Sequence, residues 1–285
     1  MNWLVYGSTG WIAQQFFEYI NDNKIDVNII PAKSRLENFE DIRKEIELIK
    51  PDRVVVLGGL TYKPPAKNID WCEDHKQEVI RANVMGTLNI ADICEQLNIH
   101  CTILGTGCVY SSLDRNIIYT ENSMWDFDKS FYSKTKAYTQ ELLRNYKNVL
   151  LLRIRMCITN TNNPKNFIIK LLNFDKIISI PNSMSVLPEL IPVMVKLIEE
   201  HETGTWNIVN PNVISHKEIL DMCGVEKEYI DISQQSKVTC VARSNNHLST
   251  DKLMNFAKKH GLVVNEIHVA VKNMIDSIPK ELNLD

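Results

Sequence analysis

Glycine and proline are scarce in this 285-residue chain, ten of each. Collagen-like and low-complexity classes are thereby excluded, and a cluster of glycines tells more than usual, because the few present are expected where the backbone needs them. No apolar run is long enough for a bilayer span: Ile177–Ile180 and Met184–Ile198 are broken by prolines and charges well short of the roughly 20 residues required. An excess of one charge is also missing. The 32 Lys and Arg stand against 35 Asp and Glu, a net charge of −3, so no basic field invites nucleic-acid phosphates and no polybasic segment marks a membrane surface. The 7 cysteines show no CxxC or paired Cys/His spacing, so reduced thiols are expected, with neither a disulfide framework nor a metal site. The chain opens on Trp3-Leu4-Val5-Tyr6 with no basic leader or cleavage region, and a cytoplasmic location is expected.

What is present alternates. Strand-like runs at Trp3–Tyr6, Val27–Ile30, Arg53–Leu57, Cys101–Leu104 and Val149–Arg153 are separated by helical patterns at Trp11–Asn21, Leu36–Ile49, Glu73–Leu97 and Ser130–Tyr146. This predicts an α/β fold, a Rossmann-like doubly wound parallel sheet. After Arg155 the pattern is less regular: helices over Pro164–Phe174, Leu187–Glu200, Ser215–Met222, Thr250–His260 and Asn265–Ile278, and strands at Ile177–Ile180 and Thr205–Val209. We therefore expect a dinucleotide-binding domain over 1–155 and a smaller C-terminal substrate-binding cap over 156–285, with segments near 177–209 returning to the sheet.

Gly7-Ser8-Thr9-Gly10-Trp11-Ile12-Ala13 follows the first strand and opens the first helix. Gly7 permits the tight turn, Gly10 lets backbone approach a pyrophosphate, Ala13 packs closely, and the helix N-terminus faces the phosphates. Gly58-Gly59-Leu60, after the third strand, joins the expected cofactor contacts. The second strand runs into Pro31-Ala32-Lys33-Ser34-Arg35 with no carboxylate before Glu37, a pattern that favours NADPH over NADH. Tyr132 and Lys136 lie four residues apart, on one helix face, where a cation can stabilise a phenolate; a tyrosine of lowered pKa can protonate the alkoxide formed when hydride reaches a carbonyl. Gly105-Thr106-Gly107 ends the fourth strand beside them.

With these motifs the sequence resembles the extended short-chain dehydrogenase/reductase family. In that likeness Thr106 holds the substrate carbonyl oxygen, Tyr132 is the acid, Lys136 its helper, and Asn83 braces the site. Trp71-Cys72-Glu73, Gly105–Cys108, Ser130–Lys136, Arg153–Met156, Asn163–Phe167, Ile180–Met184 and Arg243–Asn246 are similar to the nucleotide-rhamnose synthases of plants and giant viruses. Ala13, where a third glycine is common, and Lys63-Pro64-Pro65 depart from the pattern. The resemblance implies 3,5-epimerisation and NADPH-dependent 4-keto reduction of a UDP-4-keto-6-deoxy sugar. It makes Cys108 and Lys170 the acid/base pair for epimerisation. Lys165, Asn166 and Arg243 are expected at the diphosphate of a nucleotide-sugar substrate, and a homodimer is expected. A monofunctional reductase or 4-epimerase, or a non-catalytic NADP-bound regulatory subunit, would share Tyr132 and Lys136; the Cys108/Lys170 pair and intact chemistry discriminate. No base-reading motif separates UDP from dTDP, and a separate dehydratase is expected to supply the ketone.

Overall fold

The computed structural model describes residues 1–278; the last seven residues expected in the cap lie outside them. In the first half β1 (Asn2–Tyr6), α1 (Trp11–Asp22), β2 (Asn28–Pro31), α2 (Phe39–Ile49), β3 (Arg53–Val56), α3 (Trp71–Asp74), α4 (Lys76–Val79), α5 (Gly86–Gln96), β4 (His100–Thr106), β5 (Ile118–Tyr119), α6 (Phe131–Leu143) and β6 (Val149–Ile154) follow one another. The second half supplies α7 (Phe167–Leu172), β7 (Lys176–Ile177), α8 (Leu187–Glu199), β8 (Gly204–Asn207), α9 (His216–Cys223), β9 (Glu228–Tyr229), β10 (His247–Leu248), α10 (Asp251–Lys259) and α11 (Ile267–Ser277).

Six parallel strands form the main sheet in the order β2-β1-β3-β4-β6-β8. Because successive side chains alternate across a strand, Trp3 and Val5 point to a core with α1, α8 and α10, whereas Leu4 and Tyr6 point to a core with α2 and α5. Both faces are covered, and all seven residues of β4 are buried, as a central parallel strand requires. A third apolar core, built from Ile158, Met184, Val186 and Ile214 with α7, α9 and α11, lies in the C-terminal region. The chain leaves β1 in one direction to β2 and returns on the other side at β3, so the C-terminal ends of β1 and β3 flank the crevice where ligands bind such sheets. Among the described residues no helix is long and apolar enough to cross a membrane.

Three expected elements differ. The helix expected over Glu73–Leu97 is split into α3, α4, a π turn at Ile80–Met85 and α5. In the π turn Asn83 is drawn to Leu60: the Leu60 N–H donates to Asn83 Oδ1 at 2.8 Å, and Asn83 Nδ2 donates to the Leu60 carbonyl at 2.7 Å. The strand expected at Ile177–Ile180 shrinks to Lys176–Ile177, paired with β9 in a separate two-stranded sheet. The backbone beyond it is used otherwise: His216 meets the Ile178 carbonyl, and the Ser179 hydroxyl accepts from the Lys217 N–H. The helix expected from Pro164 begins only at Phe167, where Asn166 caps it by accepting from the Ile168 N–H.

Candidate active site

The first turn of the fold is set by Gly7, whose φ of +76° is open to glycine and strained for other residues. Space imposes the same choice, because a Cβ on Gly7 would sit 2.6 Å from the backbone of Gly58. The β1–α1 and β3 turns therefore touch backbone to backbone. Gly10 caps α1 without a side-chain hydrogen bond, and the first helical turn holds no acidic residue. Its N–H groups and the positive end of the helix thus suit an anion from outside the chain. Trp11 and Ile12 contribute only backbone here, since their side chains pack into the α1 core. A glycine cradle with an uncapped helix start fits a dinucleotide pyrophosphate.

At the end of β2 the fit is more qualified. Lys33 and Arg35 are exposed, and Arg35 is paired with Glu37 at 2.9 Å. The Glu45 carboxylate, from α2, accepts from the Ser34 N–H at 3.1 Å and from the Lys33 N–H and the Ser34 hydroxyl, with the Tyr6 hydroxyl at 3.1 Å. Of the expected adenosine-phosphate contacts, only the Lys33 side chain carries no internal partner among the described residues.

Chemistry gathers at the C-terminal ends of β4 and β6. Ser130 caps α6 by accepting from the Ser133 N–H at 3.1 Å, and the Phe131 N–H donates to Glu73 at 2.7 Å. These two bonds fix the turn that carries Tyr132. One turn further on, Lys136 is buried and its Nζ lies 3.5 Å from the Leu104 carbonyl. A Cβ on Gly59 would be 3.8 Å from that Nζ and 3.9 Å from Asn83 Oδ1, so Lys136, Asn83 and Gly59 meet at one point. The Thr106 hydroxyl accepts from the Cys108 N–H at 3.1 Å, which leaves its own proton directed elsewhere, toward a substrate oxygen if one is present. Behind Thr106, Gln140 Nε2 donates to the Thr106 carbonyl at 3.1 Å and Gln140 Oε1 accepts from buried Arg153 at 2.8 Å.

Electrostatics correct one expectation. Tyr132 is pushed above the ordinary phenol value, first by burial and then by the neighbouring thiols Cys108 and Cys72, while contact with the Thr106 hydroxyl works the other way. Lys136 is lowered by burial to about 8. Tyr132 is therefore held protonated rather than poised as a phenolate. That still suits an acid, because an alkoxide is far more basic than a phenol.

Cys108 and Lys170 approach one cluster. Tyr132 is close enough to Cys108 and Cys157 for their charges to interact, and Cys157 interacts in turn with both Lys170 and Cys108. Burial lowers Lys170 and raises Cys157 to about 12. One of the expected diphosphate contacts is corrected. Asn166 is fully buried, with its Nδ2 donating to the carbonyls of Thr159 (2.8 Å) and Thr161 (2.9 Å), so it pins a loop. Arg243 is paired with Asp70 at 2.7 Å, as Arg35 is with Glu37. Lys165 is exposed. Sequence reasoning missed Cys157, Gln140, Glu73 and the buried polar group of Asn182, Ser244 and Asn246; their roles arise from contacts distant in the chain, and only their presence inside resembling segments hinted at some of them.

A doubly wound sheet, a glycine cradle at its switch point and a Thr/Tyr/Lys set at the adjoining strand end define an NAD(P)-dependent enzyme. Residues 3–164 match the NAD dependent epimerase/dehydratase family. The chain is 40% identical over 267 residues, 88% of its length and 86% of the relative's, to the bifunctional dTDP-4-dehydrorhamnose 3,5-epimerase/dTDP-4-dehydrorhamnose reductase of Arabidopsis thaliana. It also matches a trifunctional UDP-glucose 4,6-dehydratase/UDP-4-keto-6-deoxy-D-glucose 3,5-epimerase/UDP-4-keto-L-rhamnose-reductase of that plant at 39% identity, spanning 39% of that longer protein. Among solved structures, the UDP-rhamnose synthase of Acanthamoeba polyphaga mimivirus superposes with a TM-score of 0.91 at 35% identity, over 97% of this chain and 99% of that one. The chain belongs to the NAD dependent epimerase/dehydratase family.

Proposed function

We propose that the enzyme converts a nucleotide-linked 4-keto-6-deoxyglucose, carried on UDP, to the nucleotide-linked L-rhamnose by 3,5-epimerisation followed by NADPH-dependent reduction at C4. The reading is supported by the convergence of two kinds of acid/base group on one strand end: Thr106 and Tyr132 beside Cys108, with Lys170 behind Cys157. The C4 carbonyl acidifies the hydrogens at C3 and C5, so epimerisation precedes reduction, which removes the activating group. At each carbon the Cys108 thiolate takes the proton, the electron pair passes to the carbonyl oxygen, and the Lys170 ammonium returns a proton to the opposite face. Exchange with solvent then restores both groups.

The bound nicotinamide supplies the hydride for the second stage. Thr106 orients the C4 oxygen, Tyr132 gives it a proton, and Lys136 places positive charge behind the phenol. Lys33, Ser34 and Arg35 are proposed at the adenosine phosphate. For Ser34 and Arg35 this means release from Glu45 and Glu37. Lys165 is proposed at the substrate diphosphate. The UDP carrier follows the names of the mimivirus and trifunctional plant relatives, whereas the bifunctional Arabidopsis relative is named for dTDP. A homodimer is supported by Tyr138 and Leu142, exposed one turn apart on α6, with exposed Met85 just before α5. The test is direct: the UDP- and dTDP-linked 4-keto-6-deoxyglucose are each supplied with NADPH, and the sugar formed is identified by NMR. L-rhamnose is expected. A 6-deoxy-D-hexose would leave only a reductase.

A further inference from the structure

Arg155 is one of the largest fully buried side chains, at 1% exposure, and no carboxylate pairs with it among the described residues. A buried charge without a counter-charge is costly, so its surroundings show what it is for. One guanidinium nitrogen donates to Ser244 Oγ at 3.0 Å and lies 3.5 Å from Cys108 Sγ. The other donates to Asn182 Oδ1 and to the Ser244 carbonyl, both at 2.5 Å. Nε has no partner. Every oxygen around it is neutral, and the sulfur is the one group touching it that can carry negative charge. The fork is also rigidly placed. Asn182 is held by Asn245 at 2.9 Å, and Ser244 donates to the Tyr110 carbonyl at 2.5 Å.

We propose that Arg155 is a positioning residue for the proton-exchange half of the reaction, its guanidinium clamped by Asn182 and Ser244 so that a fixed positive charge faces the Cys108 sulfur and favours its thiolate. The proposal rests on the epimerase reading of Cys108. The other titratable groups facing that sulfur are the Tyr132 phenol from α6 and the Cys157 thiol after β6, with Lys170 beyond Cys157. Burial favours the neutral form of both Tyr132 and Cys157, so among the described residues Arg155 is the charge in contact with it. A thiol beside a guanidinium ionises more readily than a free one.

The test measures iodoacetamide modification of the Cys108 peptide by mass spectrometry against pH, on the full chain. The readout is the difference in midpoint between variants, since a fixed positive charge against the sulfur favours its thiolate. Arg155→Met should raise that midpoint by about one pH unit or more, and Arg155→Lys, which keeps the charge, by less. Deuterium exchange at C3 and C5 should move along the pH axis with the midpoint, while reduction of the pre-epimerised ketone stays within a few-fold. Should Arg155→Met fail to fold, Ser244→Ala decides instead, because it removes one hydrogen bond of the clamp and an unchanged midpoint there overturns the proposal. So does an unchanged midpoint in a folded Arg155→Met. Absence of exchange in wild type with an Arg155-dependent midpoint would instead overturn the epimerase reading and leave the thiolate clamp standing.

Discussion

Two sets of groups lie near the same strand ends, and they are held in different ways. Thr106, Tyr132 and Lys136 sit on or beside regular elements: β4, paired along its length with β6, and the first turns of α6, capped by Ser130. Cys108, Cys157, Arg155 and Lys170 sit just past strand ends or on the short helix α7, and Arg155 is fixed by Asn182 and Ser244 of the C-terminal region. The first set needs only the sheet. The second exists because the C-terminal region folds back over β4 and β6, with Asn246 Nδ2 donating to the Gly107 carbonyl at 2.8 Å and the Tyr110 carbonyl at 3.0 Å. On the proposed reading, the reductase residues belong to the sheet and the proton-exchange residues to its contact with the C-terminal region. The proposed chemistry follows the same division.

The division can be broken from either side. The largest expected effect is that of Tyr132→Phe, which should slow reduction by about a hundredfold or more, in the range of a lost general acid, while deuterium still enters C3 and C5. Cys108→Ala and Lys170→Ala should show the reverse, exchange falling by roughly a hundredfold with the pre-epimerised ketone still reduced; equal loss of both activities would mean the two sets are not separable. A smaller effect concerns pH. Lys136 has its value lowered to about 8, so it is charged below that pH and neutral above it. The kcat/KM for reduction should therefore fall as pH rises through about 8, and Lys136→Arg, which keeps its charge, should move the fall upward or abolish activity by bulk. Smallest is Arg35→Ala. Arg35 is 80% exposed and already paired with Glu37, so the KM for NADPH should rise only a few-fold and that for NADH hardly at all.

The two sets also differ in how legible they were in the sequence. Periodicity located the six strands of the main sheet to within a few residues, and Gly7, Gly10, Thr106, Tyr132 and Lys136 stand in local motifs whose spacing implies their geometry. The π turn at Ile80–Met85 could not be read, because apolar spacing continues through it and its cause, Asn83 reaching Leu60, is a tertiary contact. Arg155, which stands in the resembling segment Arg153–Met156, carried no sign of its role for the same reason: its partners are 27 and 89 positions away. Asn166 misled in the opposite direction, since an amide in a loop looks like a ligand contact until the carbonyls of Thr159 and Thr161 are seen to take it. The pairing of Arg243 with Asp70 was equally hidden, because the two are far apart in the chain.

The proposed function has proton exchange at two carbons precede hydride transfer at one site. It is tested most directly by running the reaction in deuterated water with NADPH and the UDP-linked 4-keto-6-deoxyglucose, then counting deuterium by NMR. L-rhamnose carrying deuterium at both C3 and C5 is the predicted result. A reduced sugar of unchanged configuration, with hydrogen retained at both carbons, would contradict it.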